Sequence, residues 1–225
     1  MDIIVNNQDV RTVILKRIRK ITPQEAWRLM GFSDEAFARA AAVNSNTQLY
    51  QQAGNSIVVD VLMAIFNELQ EQGIVTKPVR LIELFRGIGS QATALRNLGW
   101  DFETWRVVEW DKFCIRSYNA MFDTRFAPQD ITSMTAADLA IVDTDKFDYI
   151  MTYSFPCQDL SVAGKRQGME KGTGTRSGLL WEVERLLDES AQLPQILVME
   201  NVTQVHDKKN MANFADWMAH LRELG

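Results

Sequence analysis

The sequence predicts an α/β fold, a parallel-rich sheet with helices on both faces. Three observations carry this. Short apolar runs of the length expected for strands covered on both sides recur at 79–85, 104–110, 147–153 and 195–199. Helical patterns alternate with them at 57–70, 90–98, 111–121, 179–187 and 211–224. The first run stops on Gly87-Ile88-Gly89 and passes straight into a helix. Strand, glycine turn and helix N-terminus together form a corner at which such sheets hold nucleotides.

Bulk properties bound the rest. A chain of 225 residues can build one sizeable α/β core, or a core plus a small lobe. The formal charge of -5 argues against a protein that holds nucleic acid by bulk charge, although 1–20 and 154–176 are locally basic. No apolar run approaches the length of a membrane span, and the N-terminus lacks the pattern of a secretory signal. Two cysteines, Cys114 and Cys157, imply no disulfide framework, so a reducing cytoplasm is the expected setting.

Residues 1–20 are anchored by Val13, Ile14 and Ile18, and their pattern suits a strand or a loop equally. Thr22-Pro23-Gln24-Glu25 is a helix start, with a capping threonine, a proline at the first position and a glutamate that completes the box. That helix runs to Gly31, a second covers 35–42, a turn follows at 44–46, and 50–56 reads as a polar loop. The helix at 57–70 places Val58, Leu62, Ile65 and Leu69 at core spacing. Gly73 ends it, and Lys77-Pro78 leads into the first strand.

Gly87 and Gly89 let the backbone turn tightly and approach a ligand. Ala92, Ala94, Leu95 and Leu98 share one face of the helix that follows. The next strand ends in Glu109-Trp110-Asp111, where an acid holds ribose hydroxyls in such folds. Gly87-x-Gly89-x-x-Ala92 followed by Glu109 matches the dinucleotide fingerprint, and it equally suits a tight turn with no ligand. Cys114, on the next helix, reads as a small core residue. A loop at 129–132 and a short helix at 136–142 precede the third strand.

That strand runs into Ser154-Phe155-Pro156-Cys157-Gln158 and then into a long polar loop punctuated by Gly164, Gly168, Gly172, Gly174 and Gly178. Loops this long inside compact domains are usually functional. The fourth strand ends in Glu200-Asn201-Val202. Parallel sheets bind ligands beyond the carboxyl ends of their strands, so the loops of Gly87, Glu109, Cys157 and Glu200 converge on one edge. A cysteine in an exposed glycine-rich loop with basic neighbours is a candidate nucleophile, and a carboxyl group beside it can hold a ring and supply a proton.

These residues resemble the cytosine-5 DNA methyltransferase family. Phe85-x-Gly87-x-Gly89, Glu109-Trp110, Asp130-Ile131, Pro156-Cys157-Gln158, Arg176 and Glu200-Asn201-Val202 stand in the family's order. The resemblance implies a Rossmann-like, S-adenosylmethionine-dependent methyltransferase fold. It assigns the cofactor to Phe85, Gly87, Ile88, Gly89, Glu109, Trp110, Asp130 and Ile131, and catalysis to Cys157, Glu200, Pro156, Gln158, Asn201 and Arg176. Ser161, Lys165 and Arg166 would meet DNA phosphates, and no metal is implied. Arg19-Lys20-Ile21-Thr22-Pro23-Gln24-Glu25 and Gln52-Ala53-Gly54-Asn55-Ser56 resemble the family's closing motifs but precede the glycine corner, as in a circular permutation. Asn55 and Ser56 would then complete the cofactor site.

The implied domains are a small-lobe segment at 1–50 and a catalytic domain at 51–225, the latter made of a permuted helix at 51–72 and a core at 79–225. The family's Gln-x-Arg-x-Arg motif and recognition segment are not visible in the sequence. The expected partners are therefore double-stranded DNA and a second polypeptide carrying those parts, in a bacterial or phage-infected cytoplasm with no membrane. A cofactor-binding regulatory module, a nicotinamide-dependent oxidoreductase and an RNA cytosine methyltransferase stand as alternatives. The oxidoreductase gives no role to Pro156-Cys157-Gln158 or Glu200-Asn201.

Overall fold

The computed structural model describes residues 19–156, 171 and 177–225, together with the backbone of two strands, β1 (Asp2–Asn6) and β2 (Val13–Arg17). These pair antiparallel, Asp2 opposite Arg17, which resolves the N-terminal segment as strand. Three helices follow, α1 (Pro23–Leu29), α2 (Asp34–Ala41) and α3 (Asn46–Gly54), and then α4 (Val59–Glu71). The remaining elements alternate: β3 (Val79–Leu84), α5 (Ser90–Asn97), β4 (Phe102–Val108), α6 (Lys112–Phe122), α7 (Ala136–Leu139), β5 (Asp148–Tyr153), α8 (Leu180–Asp188), β6 (Ile196–Met199) and α9 (Met211–Leu224).

The four later strands form one parallel sheet in the order β4-β3-β5-β6. Period-two alternation divides its side chains between two cores. Leu81 and Ile150 join Trp27, Leu49, Val59, Leu62, Phe66 and Leu95 on one face. Ile82 and Met151 join Leu139, Leu180, Val183, Leu186 and Trp217 on the other. The expected α/β fold with both faces covered is what the chain adopts. The chain leaves β3 outward to β4 and then returns past it to β5, so a topological switch lies between β3 and β5.

The first helix begins as its residues dictate. Thr22 accepts from the Glu25 N–H at 3.2 Å, and the Glu25 carboxylate accepts from the Thr22 N–H at 2.7 Å. Three expectations need correction. The stretch 50–56 is no loop, because most of it lies in α3: Ser45 caps that helix, and Leu49, Gln52 and Ala53 are buried at helical spacing. Its polar side chains are engaged rather than solvated. Gln52 donates to the Phe113 carbonyl and accepts from the Ser117 hydroxyl. On α4 the buried positions are Val59, Leu62 and Phe66, while Ile65 is 41% exposed, because the i, i+3, i+7 stripe that meets the core runs through Val59 rather than Val58. The helix expected over 136–142 ends at Leu139, where Ala140 turns left-handed at φ 49°.

The helices α1 to α4 are built into the sheet domain. The α4 helix packs on α5, and Met30 accepts from the Val59 N–H at 2.9 Å. Arg39 reaches Asp123 at the end of α6 at 2.8 Å, and Asn44 donates to the Phe113 carbonyl and the Ser117 hydroxyl. Buried Asp148 fixes the connection into β3 by accepting from the Thr76 and Lys77 N–H groups at 2.7 and 2.8 Å.

Candidate cofactor and active site

The strand register builds the site. Leu84 pairs with Val108 and with Tyr153, and Tyr153 pairs with Met199, so the four strands end level. The next residues are Phe85, Glu109, Ser154 and Glu200. They stand in a row across the carboxyl edge, with about 14 Å from β4 to β6 at ordinary strand spacing. The Glu200 N–H donates to the Tyr153 carbonyl at 3.2 Å, which keeps the last of them in register.

The corner after β3 is tight and left-handed. Phe85 has φ 54°, which is uncommon for a bulky side chain and marks a strained, held position. Its N–H donates to the Val108 carbonyl at 2.9 Å. Gly87 (φ 59°) and Gly89 (φ 86°) take the other positive angles. A side chain at Gly87 would meet nothing within 4 Å, whereas one at Gly89 would stand 2.7 Å from the Tyr118 ring. Gly87 thus leaves room for a ligand, and Gly89 leaves room for α6. Ile88 turns its side chain into the core and offers the site only its backbone.

Glu109 is 8% exposed and accepts two backbone hydrogen bonds, from the Gly87 N–H to Oε2 and the Asp111 N–H to Oε1, both at 2.8 Å. Burial pushes its carboxyl above the usual range, and those two hydrogen bonds oppose the rise. Trp110 is 68% exposed, an open aromatic face beside that carboxylate. The Glu109 carbonyl accepts from the Gln129 N–H at 2.9 Å, which draws the 129–132 loop to the edge. There Asp130 Oδ1 takes both hydrogen bonds from Thr132, leaving Oδ2 for a ligand, and the side chain of Ile131 is buried.

A cleft of about 370 Å³ collects these groups: Phe85, Glu109, Trp110, Asp130 and Ile131 line it, with Pro156 at the β5 side. Its size and mixed lining suit a nucleoside-sized ligand. Gln51, Asp111, Cys114, Thr132, Ser154 and Leu179 also line it, and the sequence reading assigned none of them to the site. Ser154 was accessible to the edge argument, since it follows β5 as Glu109 follows β4. The Ser154 Oγ is buried with no hydrogen-bond partner among the described residues, an acceptor or donor open to a ligand. Burial pushes the Cys114 thiol up, which suits a packing role.

Asn55 and Ser56 are not among the residues that line the cleft. The Ser56 and Ser90 hydroxyls are 2.7 Å apart, so the segment before β3 is tied to the first residue of the corner's own helix. A larger hollow, about 730 Å³, lies along α8 beside Lys171, Trp181 and Glu184. It meets the cleft at Thr132 and Leu179, which line both.

Cys157, Gln158, Ser161, Lys165, Arg166 and Arg176 lie outside the described residues. Both flanks of their loop are described. Asn201 Nδ2 donates to the Phe155 carbonyl at 2.7 Å, and the Ser177 hydroxyl donates to the Pro156 carbonyl at 2.7 Å. The Glu200-Asn201 turn is therefore bonded to the chain two residues before Cys157.

The chain is similar to known proteins. The family described as C-5 cytosine-specific DNA methylase matches residues 2–71 and 79–225. An orphan methyltransferase of Spiroplasma monobiae, M.SssI, is 54% identical over 78 residues, which are 34% of this chain and 20% of that protein. The type II methyltransferase M2.ScrFI of Lactococcus lactis is 42% identical over 91 residues, 39% of this chain and 24% of that protein. M.NlaX of Neisseria lactamica is 33% identical over 148 residues, 65% of this chain. Each match thus spans less than half of the relative's length, 43% for M.NlaX. The solved Dnmt2 methyltransferase of S. pombe aligns at 21% identity and a TM-score of 0.48, over 64% of this chain and 40% of its own. Since the family's pattern runs through nearly the whole sequence, on both sides of the connection at 72–78, the chain belongs to the C-5 cytosine-specific DNA methylases.

Proposed function

We propose that this chain carries the cofactor site and the nucleophilic thiol of a DNA cytosine-5 methyltransferase, and that its family motifs are circularly permuted. The observation that carries the reading is the level row of Phe85, Glu109, Ser154 and Glu200 on one sheet edge. The residues fit S-adenosylmethionine. Glu109 offers a carboxylate to ribose hydroxyls, Trp110 an open face to adenine, Asp130 Oδ2 an acceptor for the adenine amino group, and Gly87 an unobstructed backbone. Bound there, the cofactor supplies an electrophilic methyl group.

The chain's own residues supply the rest. A cytosine inside a duplex has both ring faces covered by stacking, so it must leave the stack before a thiol can reach C6. The Cys157 thiolate adds to C6, while Glu200 binds the N3 edge of the ring and shares its proton, which makes C5 nucleophilic. Loss of the C5 proton and departure of the thiolate complete the exchange. Asn201 and Ser177 support this by holding the carbonyls of Phe155 and Pro156, so the thiol's loop starts from a fixed base. Ser161, Lys165 and Arg166 serve as phosphate contacts. The matched segments on either side of 72–78 support the permutation, as does the bonding of Ser56 to Ser90.

The test is covalent capture. A duplex with 5-fluorocytosine at target positions, incubated with the protein and S-adenosylmethionine, should yield an adduct, because fluorine cannot leave as a proton does. Cys157→Ser should abolish the adduct and Cys114→Ser should keep it. Capture mapped to Cys114, or capture only of an RNA strand, would overturn the assignment.

A further inference from the structure

Inside the glycine corner lies a charged pair that the cofactor chemistry leaves unused. Glu83 on β3 and Arg86 have side chains fully shielded from solvent, with 3.6 Å between Oε2 and Nε. No well-formed hydrogen bond satisfies the carboxylate oxygens or the guanidinium nitrogens among the described residues. Replacing such a pair with apolar groups often leaves stability unchanged or raises it, so its retention asks for another reason.

Its position supplies one. Arg86 stands between Phe85 and Gly87, two of the three residues with positive φ that make the turn. Its guanidinium packs against the face of Tyr118. The same ring occupies the space that a side chain at Gly89 would need, and its hydroxyl is 2.9 Å from that of Thr104 on β4. The corner is thus gripped from inside by Glu83, Arg86 and Tyr118. The N–H that follows Arg86, that of Gly87, donates to Glu109.

We propose that Arg86, held by Glu83 and Tyr118, is a positioning residue for the cofactor: it sets the turn that aims the Gly87 N–H at Glu109 and supplies the buried positive charge that keeps Glu109 an acceptor. The proposal rests on the reading that Glu109 takes the ribose. The groups facing Glu109 agree with it. Burial and Asp111 favour its neutral form, and Arg86 opposes them together with the Gly87 and Asp111 N–H groups. Glu83, Tyr118 and Cys114 are the other ionisable groups that face Arg86, and all three are neutral or paired with it.

The experiment measures S-adenosylhomocysteine binding to the full chain by calorimetry between pH 5 and 8, beside thermal melting. Arg86→Met should weaken binding at least tenfold at neutral pH and move the acid limb of the binding curve to higher pH. Arg86→Lys, which keeps the charge, should leave that limb in place. The double variant Glu83→Gln/Arg86→Met should recover melting temperature relative to either single variant without recovering affinity. Wild-type affinity and acid limb in a folded Arg86→Met or double variant would overturn the proposal, as would equal displacement of the limb in Arg86→Lys. If the Met variants do not fold, an acid limb displaced in Arg86→Lys overturns it and an unmoved limb supports it. Failure of the wild-type chain itself to bind S-adenosylhomocysteine would instead refute the cofactor reading beneath it.

Discussion

Two glycines separated by a single residue perform different work. Gly89 needs both its left-handed angle and its missing side chain, because an added carbon would stand 2.7 Å from the Tyr118 ring. Gly89→Ala should therefore cost about 2–4 kcal/mol by thermal or urea denaturation, strain and overpacking together. Gly87 meets open space, so Gly87→Ala carries the strain alone, about 1–2 kcal/mol, while its methyl group intrudes on the ligand's side and weakens cofactor binding. Equal losses of stability in the two variants would contradict this division. The sequence made both glycines conspicuous, but which of them faces the ligand depends on Tyr118, 29 residues further on, and no local pattern carries that. Glu109 has a pH signature. Burial raises its folded value, so its protonated form is the one that stabilises the free protein. That contribution is full below the unfolded value of about 4.3 and is lost as pH rises through the folded one. Ribose binding needs the ionised acceptor, so cofactor binding should weaken as pH falls through the raised value and should release protons there. Calorimetry in two buffers of different ionisation heat reads that release directly. Glu109→Ala should remove it and lower affinity about 10- to 100-fold, the worth of hydrogen bonds to a charged group.

Among elements, the strands were the most legible and the segment before them the least. The strands fall on short apolar runs, and β3, β5 and β6 stand within a residue or two of the positions their apolar runs mark. The α3 helix was hidden because its polar residues bond to a distant element: Gln52 pairs with Ser117 and the Phe113 carbonyl on α6, a partner that composition cannot announce. On α4 the apolar residues fit two neighbouring stripes, and the one that meets the core runs through Val59, Leu62 and Phe66 and leaves Ile65 exposed, a choice made by the packing partner rather than by the pattern. The turn after β6 makes a testable element of its own. Asn201 holds the Phe155 carbonyl at 2.7 Å, so it works on the thiol's loop and stands apart from the cofactor cleft. Asn201→Ala should cost about 1 kcal/mol of stability. It should lower the rate of 5-fluorocytosine capture more than tenfold while leaving S-adenosylhomocysteine affinity within about twofold. A parallel fall in both would show that Asn201 supports the whole edge rather than the loop.

At the scale of the molecule, the helices α1 to α4 and the sheet share one core. Trp27, Leu49, Val59 and Phe66 are fully buried beside Leu81, Leu95 and Ile150, and the Trp27 indole N–H is satisfied by the Leu49 carbonyl at 2.9 Å. A fragment beginning at Thr76 would strip Trp27, Leu49, Val59, Leu62 and Phe66 from the core on one face of the sheet and expose the side of α5 that packs on α4. Circular dichroism and amide exchange should show it unfolded or molten; a folded fragment that binds cofactor would prove the early helices an appendage. Charge sets the remaining expectation, duplex affinity. The chain's formal charge is -5, and the basic residues between the proposed thiol and α8 are Lys165, Arg166, Lys171 and Arg176. Phosphate contacts release counterions, and log K falls against log salt with a slope of about -0.9 per contact. Four contacts would give a slope no steeper than about -4 and an affinity in the non-specific range of roughly 10⁻⁴ to 10⁻⁶ M at physiological salt. Specific readout needs side chains at base edges, and the helices described here are committed to the two cores. Fluorescence anisotropy with labelled duplexes from 50 to 300 mM salt should therefore find weak, sequence-indifferent binding by this chain. Lys165→Ala should reduce the slope by about one unit on every sequence alike. Nanomolar binding to one defined sequence at physiological salt would show that base recognition is already built into these 225 residues.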